Sequence, residues 1–200
     1  MLTLHLFPFD PMAIIDEVCE VFRYQAEMKR VSIVCKASPF LALPGEESIA
    51  LVHLNENPEQ SSDESCTKIP KLLGDKRRFK QVVMNLLKNA IKFTQEGTIE
   101  IKASYRRAPE NLLIINITDS GVGIADEDFP MLFNRFGKLQ RTADINSAGI
   151  GLGLFIVKSI VESCGGQVGV ESNGIGLGST FKFSLLACCV DSDVEIGESG

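Results

Sequence analysis

Residues 75–94, DKRRFKQVVMNLLKNAIKFT, contain the pattern that decides the fold. Apolar residues recur there at helical spacing and cover one side of a helix stepped at about 100° per residue. They are Phe79, Val82, Val83, Leu86, Leu87, Ala90 and Ile91. On the opposite side Asn85, Asn89 and Lys92 fall within roughly 60° of one another. Phe93 lies at the margin between the two sides. The stretch therefore predicts a helix that packs one side into a core and presents two amides and an ammonium group on the other.

The polar side of this predicted helix has two interpretations. Side-chain oxygens of Asn85 and Asn89, on successive turns, are suitable ligands for Mg²⁺, which otherwise keeps waters and phosphate oxygens. The alternative is an ordinary solvated face. Residues 75–110 hold nine basic and four acidic groups in a chain of net charge −6. This stretch is either a solvated surface or a local anion site, because the total charge argues against general binding of nucleic acid or membranes.

Composition places the whole chain among ordinary globular domains. Its 200 residues are 44% hydrophobic and 23% charged, which excludes a disordered chain, a collagen and a disulfide-stapled miniprotein. Apolar stretches such as 112–117 are too short for a membrane helix, and residues 1–9 do not resemble a signal peptide. The six cysteines contain no CxxC pair, which favours a reduced, intracellular chain.

The elements on either side of residues 75–94 predict an α+β fold. Strands that follow one another through short turns favour an antiparallel or mixed sheet with helices on one face, in two layers. The predicted helices cover residues 11–29, 75–96, where Gly97 ends the helix, 126–133 and 149–164. The predicted strands cover 31–36, 98–105, 111–119, 167–172 and 179–186. Residues 40–70 lose periodicity apart from a possible strand at 49–54 and predict a surface insertion. The polar segment that ends at Ala148 predicts a mobile lid.

One glycine-rich segment lies at the start of a predicted helix, and another lies at the end of a predicted strand. Gly149-x-Gly151-x-Gly153 opens a helix, so its glycines are either turn and cap residues or a phosphate site built from backbone N–H groups. Neither a dinucleotide-binding fingerprint nor a P-loop is present.

The segment DSGVG at 119–123 ends a predicted strand. It is either a tight turn stabilised by Asp119, or a site where a buried carboxylate accepts a hydrogen bond from an exocyclic amine such as that of adenine. In the second case Gly121 and Gly123 would let a flat ring approach the backbone.

Five motifs, in this order, resemble the N, G1, F, G2 and G3 boxes of sensor histidine kinases. They are NLLKNAIKFT at 85–94, DSGVG at 119–123, FNRF at 133–136, GIGLGL at 149–154 and GLGSTF at 176–181. The resemblance covers about residues 10–187 and is closest to the ATP-binding catalytic domain of hybrid-type kinases. It implies the Bergerat-type ATP fold, a two-layer α/β sandwich with a mixed, mostly antiparallel sheet, helices on one face and an ATP lid.

For the N box, the resemblance implies contacts with Mg-ATP. Asn89 would be the principal Mg²⁺ ligand, with Asn85 supporting it. Lys92 would meet phosphate, and Phe93 would pack on the adenine side. Asn85 and Lys92 would thus act in catalysis as well as in binding.

For the G1 and G3 boxes, the resemblance implies an adenine pocket. Asp119 would accept a hydrogen bond from the adenine amine, and Gly121 and Gly123 would shape the pocket. Thr180 would support Asp119 from the neighbouring strand.

For the F and G2 boxes, the resemblance implies a lid over the phosphates. Phe133 and Phe136 would anchor it, although plain core packing also accounts for both. Lys138 would reach the γ-phosphate, but Arg135 and Arg141 are alternatives on the same segment. The residues that would receive the phosphates, together with the leucine that follows them, are Gly149, Gly151, Gly153 and Leu154.

A complete histidine kinase also needs a dimerisation domain with an acceptor histidine followed by an acidic residue. His5 and His53 are each followed by leucine, so neither resembles that acceptor. We therefore expect a residual linker at 1–9, a catalytic domain at 10–187 that includes the insertion, and an acidic tail at 188–200. The chain would be a fragment, a truncated product or a stand-alone module, cytoplasmic or the cytoplasmic part of a membrane sensor.

The expected function is to bind Mg-ATP and donate the γ-phosphate to a histidine. The partners would be a dimerisation or histidine phosphotransfer domain and a response-regulator receiver domain, in cis or in trans. Gyrase-like and chaperone-like ATPases place a glutamate general base where this chain has Asn85, so hydrolysis should be slow. The alternatives are a slow ATPase of this superfamily or a nucleotide-sensing scaffold without phosphotransfer.

Overall fold

The computed structural model describes residues 4–38, 69–106, 111–135 and 151–190. The strands are β1 (Phe7–Phe9), β2 (Val31–Ala37), β3 (Leu72–Gly74), β4 (Gly97–Arg106), β5 (Leu112–Asp119), β6 (Val168–Glu171) and β7 (Ser179–Leu186). The helices are α1 (Pro11–Met28), α2 (Lys76–Phe93), a 3₁₀ helix (Asp126–Met131) and α3 (Gly153–Ser163). No helix in these ranges is long and apolar enough to cross a membrane.

The main sheet has five strands in the order β2-β4-β5-β7-β6. β2 pairs with β4 in parallel, because the long connection between them, which includes α2, crosses back over the sheet. The remaining neighbours are antiparallel. The prediction of an α+β fold with a mixed, mostly antiparallel sheet is therefore confirmed.

The core lies between this sheet and the three α-helices. Every residue of the predicted apolar side of α2 is at most 3% exposed. In β5, Leu113, Ile115 and Ile117 are fully buried, and side chains in a strand alternate between its faces. The same alternation brings Asp119, the last residue of β5, to the helix side of the sheet.

Two aspartates begin the helices that frame the core. Asp10 accepts hydrogen bonds from the N–H groups of Met12 and Ala13, with Pro11 at the first helical position. Asp10 and Pro11 thus form an N-cap followed by proline at the position where its missing N–H costs nothing. Asp75 likewise caps α2 and accepts a third hydrogen bond, of 3.0 Å, from the N–H of His5. Burial alone would raise the pKa of Asp75, but these N–H donors hold it below its ordinary value.

A second, two-stranded sheet includes residues 7–9, which lie within the linker expected at residues 1–9. β1 pairs with β3 antiparallel, and Phe9 is buried with its ring 5.2 Å from that of Phe79. Each strand has only three residues, too few to show a periodicity, and their pairing depends on a partner more than sixty positions away. Leu73 also donates to the carbonyl of Cys188, so the start of the expected tail is joined to this sheet.

Candidate nucleotide-binding site

The polar side of α2 faces the start of α3. The side-chain amide of Asn85 donates to the carbonyl of Gln81 over 3.0 Å, which fixes its orientation. A Cβ built on Gly153 would lie 3.4 Å from Oδ1 of Asn85, so the G2 motif is in close contact with the N motif. Asn89 is half-buried, one turn further along the same side. Residues 68 positions apart in sequence therefore meet where the sequence predicted a phosphate site.

The helix start beside Asn85 is suited to an anion. Gly151 has a φ of +77°, which L side chains adopt only with strain, and α3 begins at Gly153 without a side-chain cap on its N-terminus in the described part of the chain. The first N–H groups of a helix lack partners within the helix and attract negative charge. Leu154 packs against the core, and Gly149 lies outside the described residues.

Asp119 is the buried carboxylate of this site. It is 5% exposed, and both of its oxygens accept hydrogen bonds: Oδ1 from the N–H of Gly121 at 2.9 Å and Oδ2 from the hydroxyl of Ser179 at 2.7 Å. Burial raises the pKa of Asp119, and these hydrogen bonds offset part of that effect. The surroundings thus hold the carboxylate in one orientation.

The expected support of Asp119 by Thr180 is wrong. In the antiparallel register, Asp119 lies opposite Ser179, whereas Thr180 lies opposite Thr118. The hydroxyls of Thr180 and Thr118 are 3.0 Å apart on the other face of the sheet. Because successive side chains point to opposite faces, a shift of one position moves the hydroxyl from one face to the other.

The G1 and G3 loops hold each other through their backbones. Gly178 donates to the carbonyl of Gly121 over 3.1 Å, and Gly176 donates to that of Val122 over 2.7 Å. Gly123 has a φ of +68°, and a Cβ there would collide with the carbonyl of Gly174. Backbones can approach this closely only where side chains are missing.

The G1 loop also packs against the end of α2. The N–H of Val122 donates to the carbonyl of Phe93 over 3.1 Å, and a Cβ on Gly121 would lie 2.5 Å from that carbonyl oxygen. The ammonium group of Lys92 lies 5.3 Å from the ring centroid of Phe93, a cation–π distance. Two residues expected at phosphate and adenine, respectively, therefore touch each other in this structure.

The F motif is described only in part. Phe133 is half-buried and packs against the core, as the packing interpretation expected. The guanidinium of Arg135 lies 4.8 Å from the ring centroid of Phe155 in α3. The expectations for Phe136, Lys138 and Arg141 fall outside the described residues.

A cationic cavity of about 350 Å³ continues from Asn85 along α2. Its lining residues come from α1 and the polar side of α2; they are Phe22, Arg77, Lys80, Gln81, Met84, Asn85 and Lys88. Lys80 is paired with Glu17 at 2.7 Å, so part of the basic stretch serves packing between helices.

Three residues that order the site were missed by the sequence analysis. The ammonium group of Lys29 donates to the carbonyls of Ile91, Lys92 and Thr94, at 2.7, 3.0 and 3.2 Å. These carbonyls lie at the end of α2, where no further helical turn satisfies them. Ser172 accepts a hydrogen bond from the N–H of Ile124 and donates one to the carbonyl of Gly178. The third residue is Ser179, whose hydroxyl donates to Asp119. Only Ser179 had a signal, because it lies within the G3 motif.

Comparisons with known proteins find a family profile and curated relatives that match this chain. The profile of a family described as histidine kinase-, DNA gyrase B-, and HSP90-like ATPase matches residues 74–187. The sensor histidine kinase GacS of Pseudomonas protegens is 42% identical over 116 residues, which cover 57% of this chain and 12% of GacS. The autoinducer 2 sensor kinase/phosphatase LuxQ of Vibrio cholerae is 38% identical over 113 residues, covering 56% of this chain and 13% of LuxQ. The chain thus spans only about an eighth of these relatives.

Two solved structures share the fold. Full-length ShkA in complex with AMPPNP aligns with a TM-score of 0.71 at 24% identity, covering 96% of this chain and 33% of ShkA. The nucleotide-free catalytic domain of the histidine kinase ThkA aligns with a TM-score of 0.66 at 22% identity, covering 91% of this chain and 95% of that domain.

Proposed function

The chain belongs to the family of histidine kinase-, DNA gyrase B- and HSP90-like ATPases, as an ATP-binding catalytic domain of the two-component histidine kinase type, and we propose that it presents Mg-ATP to an acceptor histidine. The acceptor would lie on a dimerisation or histidine phosphotransfer domain, and a receiver domain would take the phosphoryl group next, each in cis or in trans. Since ATP is the proposed donor, the reaction would take place inside the cell.

The buried carboxylate of Asp119 carries this proposal. The two carboxylate oxygens together have four acceptor positions, of which the N–H of Gly121 and the hydroxyl and N–H of Ser179 use three at most. A remaining position can accept an exocyclic amine, which adenine offers at the place where guanine offers a carbonyl. A carboxylate held by these hydrogen bonds and shielded from water therefore favours ATP over GTP.

The donor set beside α3 fits magnesium and phosphate. The amide of Asn85 already donates to Gln81, so Oδ1 is the atom it presents toward Gly153. Asn89 and Asn85 would hold Mg²⁺ through amide oxygens, and the ion would supply charge neutralisation for the phosphates. The N–H groups at the start of α3 would bind phosphate oxygens directly.

The proposed reaction breaks the bond between the γ-phosphorus and its bridging oxygen and forms a phosphorus–nitrogen bond to the acceptor imidazole. Because the nucleophile comes from the partner domain, this chain contributes positioning and charge stabilisation. Asn85 cannot accept a proton from water at neutral pH, so it supplies no general base for hydrolysis. Slow hydrolysis and productive transfer are thus expected together.

The test uses γ-labelled ATP and a separately expressed dimerisation domain with its acceptor histidine. We expect acid-labile label on that domain only when this chain is present, and none when the acceptor histidine is replaced by alanine. Rapid phosphate release without transfer would favour the ATPase alternative. Tight ATP binding with neither reaction, across several supplied domains, would favour the nucleotide-sensing scaffold.

A further inference from the structure

Two cysteines lie in contact between α1 and the edge strand β2. The sulfur atoms of Cys19 and Cys35 are 3.2 Å apart, and one thiol donates to the other. Both residues are half-buried, and they are 16 positions apart in sequence. Neither contributes to the candidate nucleotide site, so the proposed phosphotransfer does not account for this pair.

We propose that Cys19 and Cys35 form a reversible disulfide when the protein meets hydrogen peroxide, a modification site that joins α1 to β2. A disulfide bond is about 2.05 Å long, so the sulfurs need to approach by little more than 1 Å. The two elements already pack against each other and are joined directly by Lys29 and Arg30. Closure therefore needs only a local adjustment of two side chains and their backbones.

The oxidation balances in two steps. The thiolate of Cys35 attacks one peroxide oxygen, so a sulfur–oxygen bond forms, the oxygen–oxygen bond breaks, and the leaving hydroxide takes a proton to become water. Cys19 then attacks the sulfenic sulfur, forming the disulfide and releasing the second water with the thiol proton. Together the two thiols lose two electrons, and hydrogen peroxide gains these electrons and becomes two waters.

The contacts of the pair favour this order of attack. The hydrogen bond from the Cys19 thiol lowers the pKa of Cys35, against burial and the nearby carboxylate of Asp16, which both raise it. The same pairing raises the pKa of Cys19, with burial adding to the effect. One sulfur is thus favoured as the nucleophile and the other as the proton donor held beside it.

The bond would close a loop that contains a residue of the candidate site. Lys29 lies between the two cysteines, and its ammonium group binds the carbonyls at the end of α2. Closing a loop of this length restricts the unfolded chain. We expect the oxidised protein to melt about 5 °C or more above the reduced protein.

The experiment treats the reduced full chain with stoichiometric hydrogen peroxide, blocks remaining thiols by alkylation and maps peptides without reduction. We expect a Cys19–Cys35 peptide pair that dithiothreitol separates, together with the raised melting temperature. Cys19→Ser should abolish both and leave a Cys35 sulfenic acid that dimedone traps. Cys164→Ser, at another half-buried cysteine, should change neither.

Other results would overturn the inference. Alkylation of both Cys19 and Cys35 after oxidation would show that the pair does not close. So would cross-links formed mainly with the other four cysteines, or a thermal shift that persists in Cys19→Ser. Peptide mapping of the unmutated chain decides the matter even if a variant fails to fold.

Discussion

The hydroxyl of Ser179 donates a 2.7 Å hydrogen bond to Oδ2 of Asp119, across the pairing of β7 with β5. Both residues are buried, at 8% and 5% exposure, so the contact is shielded from water. A hydrogen bond to a charged group is stronger than a hydrogen bond between two neutral groups. The orientation of the carboxylate proposed to recognise adenine therefore depends on a neighbouring strand, and this relationship is directly testable.

Ser179→Ala should weaken ATP binding about three- to tenfold, because the hydroxyl donor that orients Oδ2 of Asp119 is lost. Thr180→Val is the matched control, since Thr180 lies on the opposite face and bonds to Thr118. Calorimetric titration of both variants measures the difference. An equal loss in Thr180→Val would show that the wrong hydroxyl has been assigned.

Asp119→Asn should lower ATP affinity about ten- to a hundredfold, the loss expected for a charged hydrogen bond of about 1.5–3 kcal/mol. The preference of this variant for ATP over GTP should also be smaller than that of the wild type. Asparagine retains an oxygen for the N–H of Gly121, so the fold should persist. Retained discrimination between ATP and GTP in this variant would remove Asp119 from adenine recognition.

The raised pKa of Asp119 also predicts a pH dependence of stability. As pH rises, the unfolded chain releases this proton before the folded chain does, so the folded state holds more protons between the ordinary and the raised pKa. The contribution of Asp119 to the free energy of unfolding is therefore fully present below the ordinary pKa and is lost as pH rises through the raised one. Urea unfolding at several pH values should show this loss in the wild type and not in Asp119→Asn.

Gly121→Ala should destabilise the fold by about 1–3 kcal/mol, because its Cβ would meet the carbonyl of Phe93 at 2.5 Å and Oδ1 of Asp119 at 2.8 Å. Gly169→Ala is the matched control, since a Cβ there meets nothing within 4 Å. Urea unfolding compares the two. Similar midpoints for both variants would mean that the G1 loop moves aside readily.

Lys29→Met should destabilise the chain by about 1–2 kcal/mol and speed hydrogen exchange in the last turn of α2, because three carbonyls lose their ammonium donor. Lys36→Met is the control, since Lys36 forms an exposed pair with Glu100 that contributes little. Unchanged exchange around Thr94 would show that water replaces Lys29 without cost.

Asn89→Ala should reduce magnesium-dependent ATP binding at least about tenfold and leave the melting temperature nearly unchanged, because Asn89 lies off the apolar side of α2. Lys76→Ala, at an exposed lysine of the same helix that does not line the cavity, is the control. Titrations with and without Mg²⁺ separate metal ligation from nucleotide contact. If the variant binds Mg-ATP like the wild type, another residue holds the metal.

Features that depend on short-range periodicity could be predicted from the amino-acid sequence. The apolar side of α2 and the alternation that ends at Asp119 follow from spacings of two to four residues. Such spacings decide which side chains share a face of a helix or strand. The order of the five motifs also lies in the sequence, which is why the type of domain could be predicted from them.

The contacts between residues distant in sequence became known only from the folded structure. Ser179 rather than Thr180 supports Asp119 because the register between β5 and β7 assigns one hydroxyl to each face. Lys29 reaches the end of α2, and Cys19 reaches Cys35, through the packing of α1 on its neighbours. No local spacing encodes these contacts, because they depend on how separate elements are placed against one shared core. The chain brings its site together only when that core has formed.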